Sequence, residues 1–526
     1  MKTTLTKLHF SETGAKARVV GLSGAIAWLL LAAGCSLAPN YQKPEAHTPD
    51  AYKESFSEQA SSLPKDQAGN WKVAAPSEQL ARGQWWTVFG DEQLNQLEDQ
   101  AQKANQNLQA AVARLKESRA VQQTVNAAKM PTLDAGFGPT REQDSPASQG
   151  LSHDDNVPAK TLWRAQASSS YDVDLFGRVS DSANAASADA EQSEALLRSV
   201  LLAVQADVAQ NWFELRQLDA EVVVYQRAVK LREEAMKFSQ SRFDAGQTAE
   251  LDLVRAKSEL ATAKSDAMTV ERQRAITEHR LAVLLGQAPS QFSLASTPLT
   301  PVQVVIPPGL PSSLLERRPD IAAAERSMAA SNSRIGVAKA AFFPSLTLTG
   351  SAGFESSSLS NLFNWSSKAF LLGPLTGTML NIPIFDGGRR KGNLANAQAV
   401  YEEDVARYRQ QVLVAFQEVE DNLSSLRILQ AQTQTQKDAV NASTQAADIS
   451  RHQYDEGAAP YLDVIDAERS ALQAQREAVQ LTAIQAVSTV NLIRALGGGW
   501  GPISPSVPGI TTAKLTENQA TIKRWN

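Results

Sequence analysis

Hydrophobic residues recur every seven positions from Leu201 through Val208, Leu215, Val222 and Val229, with Val204, Leu218 and Tyr225 on a companion seam. That spacing predicts a long helix with a coiled-coil-like stripe. Asn211 falls on the companion seam, as Asn422 does in a second similar stretch, and an amide in such a position is expected to set helix register at a small cost in stability. Neither proline nor glycine interrupts Asp181 to Arg242, so at about 1.5 Å per residue the helix reaches about 93 Å. Gly246 and Gly457 break the helical pattern, and second helical runs follow at Leu251 to Leu285 and Leu462 to Leu496. Glycine supplies the positive φ that ends one helix before the chain turns back, so each break reads as the tip of a helical hairpin.

Ahead of the long helices the period changes to two. In LWRAQASSSYDVDLF, Ala165, Ala167, Ser169, Tyr171, Val173 and Leu175 alternate with Arg164, Gln166, Ser168, Ser170, Asp172 and Asp174. In PSLTLTGSAGF, Leu346, Leu348, Gly350, Ala352 and Phe354 alternate with small or polar residues. One apolar face and one wet face is the pattern of a barrel strand with lipid outside and water inside. Two such strands are expected in each half, separated by the loops around Arg141 to Lys160 and Glu355 to Lys368. Four strands cannot close a barrel, because the smallest transmembrane barrels have about eight. The chain must therefore oligomerise. Two copies would give eight strands and three would give twelve, and the strand count alone does not choose.

The two halves are related by a fixed shift. RFDAGQTAELDLVRA and QYDEGAAPYLDVIDA align at an offset of 211, which places Gly246 on Gly457, Phe243 on Tyr454 and Asp252 on Asp463. Downstream Leu285 and Gly286 meet Leu496 and Gly497; upstream Gly177 and Arg178 meet Gly388 and Arg389. The repeat is about two hundred residues, too long for a solenoid unit. The expected organisation is a signal peptide over 1–34, an N-terminal segment over 35–90 and a helix over 91–130. A strand hairpin over 131–177 and a long helix, tip and return helix over 178–287 complete the first unit. A proline-rich linker spans 288–311; a helix over 312–343, a strand hairpin over 344–386 and a helical hairpin over 387–497 form the second unit, and 498–526 is a tail.

Composition narrows the function. The chain has 526 residues, 6% aromatic, with a formal charge of −5. Residues 1–34 carry Lys2, Lys7, Lys16 and Arg18 against Glu12, so their removal leaves −8 and makes nucleic acid an improbable partner. The apolar run Val19 to Leu31 follows that basic stretch and is too short for a comfortable transmembrane helix, which is the layout of a secretory signal. Any bilayer crossing by the mature chain must then use strands. The only cysteine, Cys35, follows LLLAAG, a segment that resembles a bacterial lipobox, although Ala32 stands where leucine is usual. The expectation is a covalent lipid on Cys35, with Ser36 behind it matching the outer-membrane sorting option, and no other cofactor. The five histidines form no HExxH pair, no GxxxxGK[ST] occurs, and the six methionines are scattered, so neither an enzyme nor a dedicated metal site is expected.

In order along the chain, WWTVFGDEQL (Trp85 to Leu94), YDVDLFGR (Tyr171 to Arg178), RRPDIAAAE (Arg317 to Glu325), FFPSLTLTG (Phe342 to Gly350), PIFDGGRR (Pro383 to Arg390) and LGGGW (Leu496 to Trp500) resemble the TolC-like outer-membrane factors, particularly the NodT-type lipoprotein branch. The resemblance implies a mixed α/β membrane protein, mainly helical. Its homotrimer would have a twelve-stranded outer-membrane β-barrel, four strands per chain, continuous with a twelve-helix periplasmic α-barrel. An equatorial belt would hold Pro39 to Leu80, Ala288 to Pro311 and the tail after Gly497. It also implies outer-membrane lipids, a periplasmic adaptor and an inner-membrane RND transporter as partners. Matching positions make Asp463 and Asp466 the constriction, Leu462 an apolar ring, and Arg469 part of the restraining polar network. In TolC a tyrosine matching Tyr454 pairs with an aspartate matching Asp252, whereas Ala459 departs from TolC, which has a restraining arginine there. Gly246 with Gln247 and Gly457 with Ala458 match the adaptor-docking tips.

Threefold repetition would turn each tip residue into a ring. Asp463 and Asp466 share a helix face, and like charges at a narrow mouth attract cations and make it sensitive to protons and metal ions. Both aspartates also suit a helix N-terminus through the dipole. The expected function is a passive exit duct for small molecules. Two alternatives remain, a type I protein-secretion duct and a coiled-coil lipoprotein without a pore.

Overall fold

The computed structural model describes residues 36–44, 49, 51–54, 72–73, 84–150, 152, 157–299, 304–305, 317–372 and 380–498. Cys35, the signal segment and the tail beyond Gly498 lie outside the described residues. In chain order the main elements are helices α1 (Glu92–Ala104) and α2 (Gln106–Ala127), strands β1 (Thr132–Glu142) and β2 (Lys160–Val173), and helices α3 (Arg178–Asp244) and α4 (Glu250–Leu284). Then come α5 (Pro319–Ala340), strands β3 (Ser345–Ser356), β4 (Lys368–Leu372) and β5 (Leu380–Asn381), and helices α6 (Arg389–Asp455) and α7 (Tyr461–Ala495). The described part is mainly helical. α3 and α6 are each 67 residues, about 100 Å; α4 and α7 are each 35. Both pairs start 211 positions apart.

Two compact units divide the chain. The first contains residues 1–44, 116–192 and 325–407 and carries the sheet, ordered β1-β2-β3-β4 with every pairing antiparallel. Register settles which residues share a face. Phe137, Ala165 and Phe354 lie side by side across three strands, as do Ala135, Ala167 and Ala352, while Arg164 faces Glu355 and Asp172 faces Thr347. Directly opposed residues point the same way, so the apolar sets read from β2 and β3 fall on one face of the sheet. Leu133 and Phe137 of β1 are 77% and 63% exposed, and that strand is an edge among the described residues. On the polar face Arg164 bonds Glu355 through Nε at 2.7 Å and lies 3.6 Å from Glu142.

The second unit contains 45–115, 193–324 and 408–526. Its largest core gathers Trp85, Trp86 and Phe89 against Trp212, Phe213, Leu281 and Val490. Trp212 Nε1 donates to Asp91 at 2.7 Å, and Asp91 also caps α1 by accepting from Leu94 N at 3.0 Å. The heptad stripe is realised here, with Val208 and Leu215 fully buried. Asn211 and Asn422 are not register clamps within the chain. Each amide donates back to its own helix, to Asp207 O at 2.8 Å and Glu418 O at 2.6 Å, the local backbone bond open to an asparagine within a helix. The segment after α4 is pinned through buried Asp219, which accepts from Arg274 Nε at 2.6 Å and from Thr297 N at 3.1 Å.

One element differs from the sequence expectations. The helix over 91–130 is broken at Asn105, whose side chain caps α2 by accepting from Leu108 N at 3.0 Å and donates to Leu284 O at 2.8 Å. The start of the helix expected over 312–343 lies outside the described residues, and α5 is described from Pro319, a residue suited to a first helical turn. The fourth strand is described on either side of residues 373–379, which lie outside the described residues: β4 pairs with Gly350 to Phe354 of β3 and β5 with Ser345 and Leu346.

Candidate functional site

The hairpin tips carry the candidate site. Gly246 has φ 71° and Gly457 φ 77°. Gly246 N donates to Phe243 O at 2.9 Å and Gln247 N to Arg242 O at 2.8 Å; Gly457 N donates to Tyr454 O at 3.0 Å and Ala458 N to Gln453 O at 2.7 Å. This doubled closure satisfies the last carbonyls of a helix and requires one left-handed residue, hence glycine at both places. The return helices then start alike. Asp252 N and Asp463 N donate to Ala249 O and Pro460 O, each at 3.1 Å, and both aspartates stand in a first turn, where the helix dipole favours a carboxylate.

The beginning of α7 has two faces. Tyr461, Val464 and Ile465 are buried with Tyr454 and with Ala256 of α4. Leu462, Asp463, Asp466 and Arg469 form an exposed stripe on the other side. All four residues expected at the constriction therefore share one surface of one helix. Arg469 is anchored from behind: its guanidinium engages Glu259 of α4 through Nη2 and, at 3.3 Å, through Nε. The Arg469 side chain is 58% exposed and that of Glu259 is 9% exposed. Arg232 of α3 completes the group, with Nη2 3.5 Å from Glu259 and a side chain only 6% exposed. The bond to Glu259 raises the Arg469 pKa further, so its charge is fixed at any working pH.

Tyr454 and Asp252 do not pair within the chain. Tyr454 is buried, its ring 5.1 Å from that of Tyr461 and 5.2 Å beneath the Arg242 guanidinium, and its hydroxyl has no hydrogen-bond partner among the described residues. Asp252 is satisfied locally by Thr248 Oγ1 at 3.0 Å, with Arg255 Nη1 3.8 Å away. Aromatic packing has taken the tyrosine into the core, and the polar link between the hairpins passes to Arg469 and Glu259. Sequence reasoning missed Glu259, Arg232, Arg242 and the Arg451–Glu468 pair. One signal was present for Glu259: it interrupts the buried stripe of Leu253, Ala256, Leu260 and Ala263, where an acid needs a partner.

No group of three or more His, Cys, Asp or Glu side chains placed to hold a metal occurs among the described residues. No described helix is long and apolar enough to cross a membrane. The site presents charge and an apolar rim along a helix face, an arrangement suited to gating or docking.

Comparison with known proteins bears on this geometry. Residues 97–287 and 310–498 match the outer membrane efflux protein family. The chain is 32% identical over 481 residues to the toluene efflux pump outer membrane protein TtgF of Pseudomonas putida, covering 91% of this chain and 97% of that one. It is 30% identical over 480 residues to the probable outer membrane lipoprotein SilC of Salmonella typhimurium, covering 90% and 98%. The structure of the outer-membrane channel OprN superposes with a TM-score of 0.78 at 28% identity, covering 89% of this chain and all of that one. With both halves matched and the likeness spanning nine-tenths of its length, the chain belongs to the outer membrane efflux protein family.

Proposed function

We propose that the protein is the exit duct of a tripartite efflux system, a homotrimer that passively conducts small molecules delivered by an inner-membrane RND transporter through a periplasmic adaptor. The observation that carries this reading is the unfinished sheet. Among the described residues four strands share one apolar face, and β1 lies at an edge with its large apolar side chains exposed. An edge of this kind in a bilayer has to be paired, because unsatisfied backbone groups in lipid cost several kcal/mol each, on the order of a whole domain's stability when summed. Three copies give twelve strands, enough to enclose a passage. The two halves are read as copies of one unit, which makes two hairpins per subunit and six tips around the periplasmic mouth.

Leu462, Asp463, Asp466 and Arg469 line that mouth, and the tips at Gly246, Gln247, Gly457 and Ala458 receive the adaptor. Opening changes the relation between the hairpins that Arg469 and Glu259 hold together. A thioether-linked lipid on Cys35 secures the subunit in the outer membrane; the likeness to a lipoprotein supports this. Cross-linking and native mass measurement of protein extracted from outer membranes test the assembly, with a trimer expected. Planar-bilayer recording tests the duct, and a purified trimer that passes no ions under any condition would refute it.

A further inference from the structure

The two strand hairpins are built alike. β1 meets β2 with Thr132 opposite Ser170 and Leu133 opposite Ser169, and β3 meets β5 with Ser345 opposite Asn381 and Leu346 opposite Leu380. The second set of pairs is the first moved along the chain, by 213 positions for the leading strand and by 211 for the returning one. The same shifts carry Pro131 to Pro344 and Gly177 to Gly388. Near the helices, the hairpins correspond residue for residue.

Between them lies one junction, β2 against β3, in which Val173 faces Leu346, Tyr171 faces Leu348 and Ser169 faces Gly350. Applying the two shifts to this junction gives a pairing that one subunit cannot make with itself, because β2 and β3 stand between its two strands. Val173, Tyr171 and Ser169 become Ile384, Ile382 and Leu380; Leu346, Leu348 and Gly350 become Leu133, Ala135 and Phe137. Of these six, the five large side chains are exposed, Ile384 by 92%.

We propose that a second copy of the chain covers this edge in a fixed register, with Leu133 opposite Ile384, Ala135 opposite Ile382 and Phe137 opposite Leu380. The proposal rests on the homotrimer inferred above and adds the residues that meet. Side-chain chemistry selects the same register. Three apolar pairs fall on one face, whereas a slip of one residue would turn one strand's apolar set onto the polar face. A slip of two residues in one direction puts Leu133 opposite Asp386, whose carboxylate already accepts from the amides of Gly388 and Arg390, each at 3.1 Å. In the other direction it puts Ile384 opposite Pro131.

Both edges also change character at one level. Pro139 of β1, two places beyond Phe137, has no N–H to give a ladder. On the other edge eight positions separate Leu372 from Leu380, while their partners Gly350 and Leu346 are four apart, so four extra residues enter just beyond Leu380. The shared ladder is thereby confined to residues 133–137 and 380–384. Pro383 falls inside it opposite Asp134, and its carbonyl is already satisfied by Arg390 Nη1 at 3.0 Å.

Paired cysteines in the full chain, oxidised mildly in outer-membrane fractions, test this. Ala135→Cys with Ile382→Cys places thiols on the apolar face; Gly136→Cys with Asn381→Cys places them on the other, where a Cβ on Gly136 meets nothing within 4 Å. Opposed Cα atoms lie about 4.5–5.5 Å apart, within reach of a disulfide. Each pair should therefore give covalent trimers on denaturing gels without reductant, above the background set by the single variants, which retain Cys35. Ala135→Cys with Leu380→Cys or Ile384→Cys should link at least fivefold less, since diagonal neighbours are about 7–8 Å apart. The two edges of one sheet are about 14 Å apart, so no such link forms within a chain. A stronger link from an off-register pair, or none from either opposed pair in variants that still run as trimers on unheated gels, overturns the register and leaves the exit duct standing. Wild-type protein that runs as a monomer on those gels refutes the assembly, and the register with it.

Discussion

Arg469 and Glu259 meet as a bidentate pair, and that pair joins the return helix of the second hairpin to the return helix of the first. Its two ends are unlike. The arginine stands at the surface beside Asp463 and Asp466, whereas the glutamate is buried and also holds Arg232. Removing the exposed end and removing the buried end therefore have different consequences.

Arg469→Ala is expected to cost less than about 1 kcal/mol of stability, because the lost charge is largely solvated and Arg232 still neutralises Glu259. Replacing Asp466 and Arg469 together with alanine should raise single-channel conductance severalfold in planar bilayers. Unchanged conductance with an intact trimer removes both residues from the gate. Glu259→Ala leaves Arg232 buried without its carboxylate, and a loss of about 3–5 kcal/mol is expected. A denaturant series on detergent-solubilised protein distinguishes the two outcomes.

Gly246→Ala and Gly457→Ala isolate backbone strain. No atom lies within 4 Å of a Cβ built on either residue, so neither change introduces a clash. The expense is the left-handed conformation alone, about 1–2 kcal/mol for each. Thermal unfolding should record that loss, and the strained tips should bind adaptor more weakly in a pull-down. Asn at either position should recover most of the stability, since it tolerates positive φ better than alanine. A stability loss well beyond this range would mean that the glycines do more than turn the chain.

Glu98 makes stability depend on pH. It is fully buried on α1, neither carboxylate oxygen has a partner among the described residues, and burial, then the charge of Asp99, raises its pKa well above the ordinary value. The folded protein thus keeps a proton that the unfolded chain releases above about pH 4.3. Stability from this group is fully present below that pH and declines as pH rises toward the folded value, by about 1.4 kcal/mol per unit. Melting curves across that range should show the decline in the wild type and a flatter profile in Glu98→Gln. Parallel profiles would mean that Glu98 is ionised in the folded protein.

The elements that were legible in the sequence are those whose signal is local and periodic. The seven-residue stripe gave α3, alternation gave β2 and β3, and two glycines marked both turns, because each depends on residues within a few positions of one another. The contacts that hold the tips are different. Arg232, Glu259 and Arg469 come from three helices, and Ser36 reaches Asp181 across 145 positions. Their geometry exists only after the helices pack. Asn105 is an intermediate case: it sits inside a continuous helical pattern, and its cap on Leu108 is accompanied by a bond to Leu284 that exists only once α4 packs beside it.

The sheet offers a test in which two adjacent residues should behave oppositely. Ala167 lies level with Ala135 and Ala352 on the apolar face, and Gln166 lies level with Gly136 and Gly353 on the other. If the apolar face meets lipid, Ala167→Arg places a charge in hydrocarbon near mid-strand and costs about 2–4 kcal/mol. Gln166→Arg projects into water, where the polar face already carries Arg164 and Asp172. Unheated gel electrophoresis of outer-membrane fractions should show trimer lost or weakened in the first variant and retained in the second. Equal tolerance of both would place water on both faces, and the sheet would then belong to a soluble sandwich. Loss in the second alone would reverse the assignment of inside and outside.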